Sequence, residues 1–193
     1  MYSKRNNELK ILALYSCNYS SQYYLREISK LVKIPLKTTQ NILKRLEKGR
    51  IIKSLVRGKN KYFMLNLNSM QTKFFLMQTE LYRTWSFLEK YTLFKLFLKD
   101  IKAISPIIIF GSFAKFTADK DSDVDMLIVS AKEQKLPTHL LPNKIHQINL
   151  SEKIFFESLE KQEPLIKEIE ESHIILNNYS FFVNSMWRMH YGR

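Results

Sequence analysis

Two carboxylates that stand two residues apart, Asp123 and Asp125, are the residues whose types and spacing most clearly indicate chemistry. They enter an apolar run, 126–129, which predicts a buried strand. Residues i and i+2 of a strand point to the same side of the sheet, so the two carboxylates are expected side by side. Because like charges at such a distance repel unless a cation binds them, the pair predicts a divalent-metal site.

A Gly-Ser pair, Gly111 and Ser112, follows a second apolar run, 107–110, that also predicts a buried strand. A strand that turns through Gly-Ser into a helix presents backbone N–H groups and a helix N-terminus to a phosphate. Paired carboxylates, a divalent ion and a phosphate cradle together make the apparatus of nucleotidyl transfer.

The segment IIIFGSFAKFTADKDSDVDMLIV, residues 107–129, resembles the signature of the minimal nucleotidyltransferase domain of the DNA polymerase β superfamily. The resemblance implies that Asp123 and Asp125 are catalytic and ligate Mg²⁺, and that the substrate is an NTP, expected to be ATP. It assigns nucleotide binding to four residues: Gly111, Ser112, Lys115 and Ser122. Members of this family also occur in toxin–antitoxin pairs, where they modify a partner toxin.

Departures from the family pattern leave two hypotheses open. Phe116 stands where the family commonly has Gly, and the expected later strand, 144–150, lacks the third carboxylate of active members. Glu152 follows just beyond that strand and could substitute for it. Either the domain transfers NMP from an NTP to a hydroxyl of a protein, an RNA or a small molecule, or it is degenerate and binds only nucleotide or a partner protein.

The excess positive charge of the chain lies in its first third. Residues 1–68 hold 15 Lys and Arg against 3 acids, whereas residues 69–193 hold 16 against 15. The pattern predicts three helices and a β-hairpin, with Asn6 or Asn7 capping the first helix and Gly49 ending the third. This order, in YYLREISKLVKIPLKTTQNILKRLEKGRIIKSLVRGKNKYFMLN, resembles the winged helix–turn–helix family of transcription regulators.

A winged helix of this charge implies binding to double-stranded DNA and a role in transcription regulation. The third helix would be the recognition helix, whose first residues meet base edges, and the hairpin would contact phosphate. The expected DNA contacts are Lys37, Thr38, Thr39, Gln40 and Lys44 on the helix and Arg57, Lys59 and Lys61 on the hairpin. A winged helix used only for protein–protein contacts is the alternative.

The stretch from Gln71 to Lys102 contains neither Gly nor Pro and predicts one long amphipathic helix. Its apolar residues recur every three or four positions, from Phe74 to Ile101. A stripe this wide either packs against both domains or forms a homodimer with its own copy, and the sequence leaves both interpretations open.

The whole sequence predicts an α+β protein with three parts. They are a winged helix at 1–68, a linking amphipathic helix at 69–103, and a nucleotidyltransferase-fold mixed sheet with flanking helices at 104–193. A single cysteine, Cys17, excludes a disulfide scaffold and a Cys-rich zinc module. No apolar stretch of membrane-spanning length and no secretory signal pattern is present, so no membrane contact is expected and the cytoplasm is the expected compartment.

Overall fold

The structure is a computed structural model that describes residues 2–101, 105–132 and 134–191, with side chains from Asn6 onward. Its helices are α1 (Tyr2–Ser16), α2 (Leu25–Val32), α3 (Leu36–Lys48), α4 (Met70–Lys90), α5 (Leu93–Asp100), α6 (Gly111–Ala114), α7 (Glu152–Lys161), α8 (Pro164–Glu171) and α9 (Tyr179–His190). Its strands are β1 (Tyr23–Tyr24), β2 (Ile52–Arg57), β3 (Asn60–Leu65), β4 (Ile107–Phe110), β5 (Val124–Val129), β6 (Ile145–Leu150) and β7 (Ile174–Asn177). The described chain divides within α4 into two compact units. The first runs to Tyr82 and includes His190, and the second runs from Arg83 to Met189.

The first unit combines α1, α2 and α3 with a three-stranded antiparallel sheet in the order β1-β3-β2. β2 and β3 form the predicted hairpin, in which Ile52 pairs with Leu65. The three helices contact one another and bury an apolar core: Ile11, Leu12, Ile28, Ile42, Leu43 and Leu46. The hydroxyl of Tyr15 donates to the carbonyl of Phe63 at 3.0 Å, and burial raises the pKa of this tyrosine.

Three local features of the first unit test the sequence predictions. Gly49 ends α3 as predicted, and its N–H donates to the carbonyl of Arg45 at 2.8 Å. The predicted cap at Asn6 or Asn7 is wrong, because α1 begins at Tyr2 and no helix breaker precedes the asparagines. The two-residue strand β1 was not predicted, since it exists only through its pairing with β3.

The second unit contains a four-stranded mixed sheet in the order β6-β5-β4-β7. β4 pairs antiparallel with β5 and β7, while β5 and β6 are parallel. This sheet and its helices confirm the predicted α+β class. The predicted strand at 144–150 is β6, and Ser151 caps α7 through its Oγ, which accepts the N–H of Ile154 at 3.3 Å.

One face of this sheet packs against α4 and α5. Alternate residues of β4 and β5 supply that face: Ile107, Ile109, Val124, Met126 and Ile128. They pack against three buried phenylalanines of the helices: Phe87, Phe94 and Phe97. Successive side chains of a strand point to opposite faces, so Asp125 belongs to the other face of the sheet. The alternation along β5 thus places Asp125 on the opposite face of the sheet from the side chains that pack against α4 and α5.

The prediction of one helix over 71–102 is wrong. α4 ends at Lys90 and α5 begins at Leu93, while Lys102 lies outside the described residues. The ring of Phe87 lies 5.0 Å from that of Tyr91 and 4.8 Å from that of Phe94, centroid to centroid. The helix is thus interrupted at Tyr91 and Thr92, where these rings pack together, although the apolar periodicity continues. The boundary between the two compact units lies inside α4, and the predicted division at 68 and 103 stays a prediction.

Polar contacts fix the second half of α4 to the sheet. Thr84 donates through Oγ1 to the carbonyl of Ile175 at 2.6 Å. The guanidinium of Arg83 donates to the backbone carbonyl of His173 at 2.6 Å and to Nε2 of the His173 ring at 2.9 Å. Nδ1 of the same ring lies 2.8 Å from the carbonyl of Ile169. A guanidinium only donates, so Nε2 accepts and the Nδ1–H donates, which gives this buried imidazole a structural role. Across the described ranges, none of the helices combines the length and the apolar character needed to span a bilayer.

Candidate functional site

The carboxylate pair, Asp123 and Asp125, lies at the start of β5. Asp125 is half-buried and pairs in register with Phe110, the last residue of β4. Asp123 precedes the strand and is exposed. The antiparallel register therefore brings Asp125 beside Gly111, the residue that follows β4.

Gly111 lies where the backbone comes closest to Asp125. Its φ of +66° is in the left-handed region. A Cβ at this position would collide with Oδ2 of Asp125 and would lie 3.2 Å from its Cγ. Backbone conformation and lack of space thus both require glycine here.

The helix that begins at Gly111, α6, is a single turn, Gly111–Ala114. The carbonyl of Ser112 accepts the N–H groups of Thr117 and Ala118, and Lys115 is exposed at the end of the turn. A helix this short has little macrodipole, so its N-terminus by itself would attract phosphate only weakly. Phosphate binding by Gly111, Ser112 and Lys115 stays a prediction.

Phe116 adopts a backbone conformation that favours glycine, with φ of +60°. Its ring centroid lies 6.3 Å from that of Phe87, and the ammonium of Lys90 donates to its carbonyl. The same ammonium lies 5.8 Å from the centre of the Phe116 ring. These contacts surround a residue that holds the left-handed conformation without being glycine.

Ser122 shapes the turn before the carboxylate pair. Its hydroxyl donates to Oδ1 of Asp119 at 2.8 Å and accepts the Asp119 N–H at 3.0 Å. The Ser122 hydroxyl and the N–H of Asp121 hold the pKa of Asp119 below its ordinary value. The hydroxyl of Ser122 is thus engaged within the turn, and its predicted nucleotide contact stays a prediction.

A histidine lies beside the carboxylate pair. The parallel register of β5 and β6 places His146 opposite Asp125, with Nδ1 3.4 Å from Oδ1. Within the described residues, no three His, Cys, Asp or Glu side chains are grouped closely enough to hold a metal ion. Glu152, the first residue of α7, therefore does not complete a three-carboxylate site with the pair.

The carboxylate pair by itself fits Mg²⁺. Carboxylate oxygens are hard ligands, and proteins commonly hold Mg²⁺ through one or two carboxylates while water and substrate phosphates supply the other ligands. Asp123 is exposed and the Asp125 side chain keeps 29% exposure, so an ion can reach both carboxylates from solvent.

A second candidate site lies in the first unit, in a cleft of about 700 Å³ between α2, α3 and the hairpin. Four cations and two amides line it: Arg26, Lys44, Lys59, Lys61, Gln40 and Asn60. We refer to this surface as the basic cleft. It brings together four of the predicted DNA contacts, whereas Arg26 and Asn60 were not predicted because the packing of α2 against the hairpin cannot be inferred from residue spacing.

Glu47 is an acid in the lining of the basic cleft. It accepts hydrogen bonds from the hydroxyl of Ser54 and from Nζ of Lys61, the latter at 3.0 Å. Burial raises the pKa of Glu47, but these hydrogen bonds outweigh that effect and leave it below its ordinary value. Glu47 therefore ties the hairpin to α3 and partly neutralises Lys61.

The other predicted DNA contacts differ in exposure. Lys37, Thr38 and Arg57 are exposed. Thr39 is fully buried, and its Oγ1 donates to the carbonyls of Ile34 and Pro35, each at 3.2 Å. The prediction that Thr39 contacts a base is therefore wrong, because α3 begins at Leu36 and turns this side chain toward the preceding loop.

Comparison with known proteins gives a family match within the second unit. Residues 94–180 match the family model described as Polymerase beta, Nucleotidyltransferase. The match covers less than half of the chain and contains β4 to β7 with the carboxylate pair. This part of the chain is thus similar to a nucleotidyltransferase domain of that family. No curated protein and no solved structure matches the chain.

Proposed function

We propose that the second unit transfers a nucleoside monophosphate from an NTP to a hydroxyl acceptor, with Mg²⁺ held by Asp123 and Asp125. The observation that carries this proposal is the carboxylate pair at the start of β5, with Asp125 set against Gly111, inside the segment that matches the nucleotidyltransferase family. Bound Mg²⁺ would neutralise charge on the phosphates of the NTP.

The chain's own residues would position the reactants. The absence of a Cβ at Gly111 lets Asp125 keep its position, and the exposed Lys115 supplies a cation one turn later for a phosphate of the NTP. The acceptor oxygen attacks the α-phosphorus in line, the bond to the diphosphate oxygen breaks, and the hydroxyl proton passes to water. ATP is the expected NTP, and the acceptor is a protein, an RNA or a small molecule.

The test uses the chain with Mg²⁺, cell extract and ATP labelled on its α-phosphate. Wild type should label an acceptor, and a chain with Asp123→Ala and Asp125→Ala should not. Asp121→Ala is the matched control, because it removes an exposed carboxylate two residues before Asp123. Equal labelling by wild type and the double variant would exclude the proposed transfer.

A degenerate domain that binds nucleotide or a partner protein is the second candidate. The observation that favours it is the imidazole of His146, which lies 3.4 Å from Asp125 on the strand where the resemblance implies a carboxylate. Binding of labelled ATP in equilibrium dialysis, without transfer to any acceptor, would support this candidate over the first.

We further propose that the first unit is a winged helix that binds double-stranded DNA and serves in transcription regulation. Support comes from the order of its elements and from the basic cleft between the recognition helix and the hairpin. Lysine and arginine contacts to phosphate release counterions, so DNA affinity should fall steeply as salt rises. Fluorescence anisotropy of a labelled duplex over a salt series tests this; an affinity independent of salt would favour a protein–protein role.

We also propose that a second copy of the chain covers the first half of α4. Three apolar side chains there, Met70, Phe74 and Leu81, are 57%, 58% and 50% exposed and are spaced to share one helix face. A two-fold dimer buries the same patch of both copies and would match two-fold DNA half-sites. Sedimentation velocity should show a dimer that Leu81→Glu dissociates. The control is Leu31→Glu, because Leu31 of α2 is equally exposed; this variant should still form the dimer. A wild-type chain that stays monomeric at every concentration would refute the proposed dimer.

A further inference from the structure

The backbone that leads into Asp123 is not fixed by the sheet. Asp123 is exposed and precedes β5, and the first hydrogen bond between β5 and the β6 segment comes from the N–H of Val124 to the carbonyl of Lys144, at 2.8 Å. The position of the Asp123 carboxylate therefore depends on the turn before it, residues 119–122.

That turn is closed from within by the Asp119 carboxylate. Its Oδ1 accepts the N–H of Asp121 at 3.1 Å and the hydroxyl of Ser122 at 2.8 Å. A carboxylate that accepts two donors keeps its charge at neutral pH, in line with the lowered pKa of Asp119.

Asn143 holds the same turn from outside. Its Nδ2 donates to the carbonyl of Lys120 at 3.1 Å and to the carbonyl of Ser122 at 2.9 Å. The side chain is half-buried and lies two residues before β6. A single amide nitrogen has two N–H donors, so one side chain ties both carbonyls of the turn to the segment that enters β6.

We propose that Asn143 is a positioning residue for the metal site: it holds the 119–122 turn so that Asp123 stands beside Asp125. This inference rests on the proposed nucleotidyl transfer. Groups that orient metal ligands from outside the coordination sphere typically change metal affinity by about 10- to 100-fold. An amide suits this position because its N–H groups can donate to both carbonyl oxygens. A carboxylate in its place would bring its own negative oxygens against the negative ends of those carbonyls.

The test measures Mn²⁺ binding to the 193-residue chain without nucleotide, from the electron paramagnetic resonance signal of free Mn²⁺. Asn143→Ala should weaken binding by about tenfold, with a far-UV circular dichroism spectrum like that of wild type. Ser122→Ala, which opens the turn from within, should weaken binding in the same direction. The matched control is Asn149→Ala on β6, whose side chain accepts one hydrogen bond, from Gln147 at 3.1 Å; it should bind Mn²⁺ as wild type does.

The outcomes separate this role from mere stabilisation of the fold. If Asn143→Ala lowers the melting temperature but binds Mn²⁺ with wild-type affinity, the positioning role is refuted. If Asn143→Ala does not fold, Ser122→Ala decides, because both residues hold the same turn. A chain with Asp123→Ala and Asp125→Ala sets the baseline: wild-type affinity there would overturn the metal site and the proposed function together. Loss there, with no change in the Asn143 and Ser122 variants, would overturn only the inference on Asn143.

Discussion

The basic cleft of the first unit and the carboxylate pair of the second are both proposed to meet phosphate, yet they carry opposite charges. Four cations line the cleft, whereas four acids, Asp119, Asp121, Asp123 and Asp125, alternate along the segment that enters β5. Cations attract a phosphate backbone directly, and salt screens that attraction. Carboxylates repel phosphate unless a metal ion lies between them. Salt and metal ions should therefore act on different units.

The two sites also differ in how tightly the backbone defines them. Lys44 and Lys59 reach the basic cleft with exposed side chains, whose length allows several positions relative to a phosphate. Asp125, by contrast, is placed by strand register against Gly111, with no room for one additional carbon atom. Substitutions at the carboxylate pair should therefore have larger effects than single substitutions in the cleft.

The largest effect is expected from Gly111→Ala. The new Cβ would displace Asp125, and a displacement of about 1 Å at a reacting centre can cost roughly 100-fold in rate. Nucleotidyl transfer and Mn²⁺ binding should both fall, while duplex binding keeps its affinity and salt dependence. Gly58→Ala is the matched control, because Gly58 also has a positive φ but has open space around it. Transfer at the wild-type rate in Gly111→Ala would show that the contact with Asp125 does not matter.

A smaller effect, of opposite sign, is expected from His146→Asp. The change places a third carboxylate beside Asp125 in the parallel register, and Mg²⁺ affinity should rise roughly tenfold since it grows with the number of charged ligands. Isothermal titration calorimetry with Mg²⁺ measures this. His139→Asp adds the same charge at another exposed position and should change affinity less. Unchanged affinity in His146→Asp would show that this position on β6 lies outside the metal site.

Arg26→Ala should have a moderate effect confined to the first unit. Loss of one phosphate contact should lower duplex affinity several-fold and reduce the slope of log affinity against log salt by about 1. Anisotropy titrations at several salt concentrations provide the slope. Lys153→Ala changes a lysine of the second unit that is 85% exposed, and it should leave the slope unchanged. An equal change in both variants would mean that the net charge of the chain, and not the basic cleft, determines the affinity.

The smallest effect concerns the pH dependence of the first unit. The pKa of Glu47 is below its ordinary value in the folded protein, so its stabilising contribution is present above the ordinary pKa. That contribution is lost as pH falls through the lowered pKa. Because the ion pair with Lys61 is partly exposed, less than about 1 kcal/mol is expected. Urea unfolding of wild type and Glu47→Gln should differ at neutral pH and converge in acid; a constant difference would assign the effect to packing.

Local patterns predicted many elements of the fold because the signals are short-range. Gly49 at a helix end and the alternation that produced the hairpin each depend on a few neighbouring residues. Predictions failed where distant residues compete with such signals. α4 ends inside a continuous apolar stripe, where the rings of Phe87 and Phe94 pack together, and Thr39 is buried against the loop before α3.

For the candidate metal site, the sequence by itself determined the residue types: two carboxylates on one side of a strand, a Gly-Ser turn, and a later strand without an acid. Only the tertiary structure decided the neighbours. The antiparallel register set Gly111 against Asp125, the parallel register set His146 beside it, and Asn143 closed onto the preceding turn. Strand order and register depend on how the whole sheet buries its apolar face, and no short stretch of sequence contains that information.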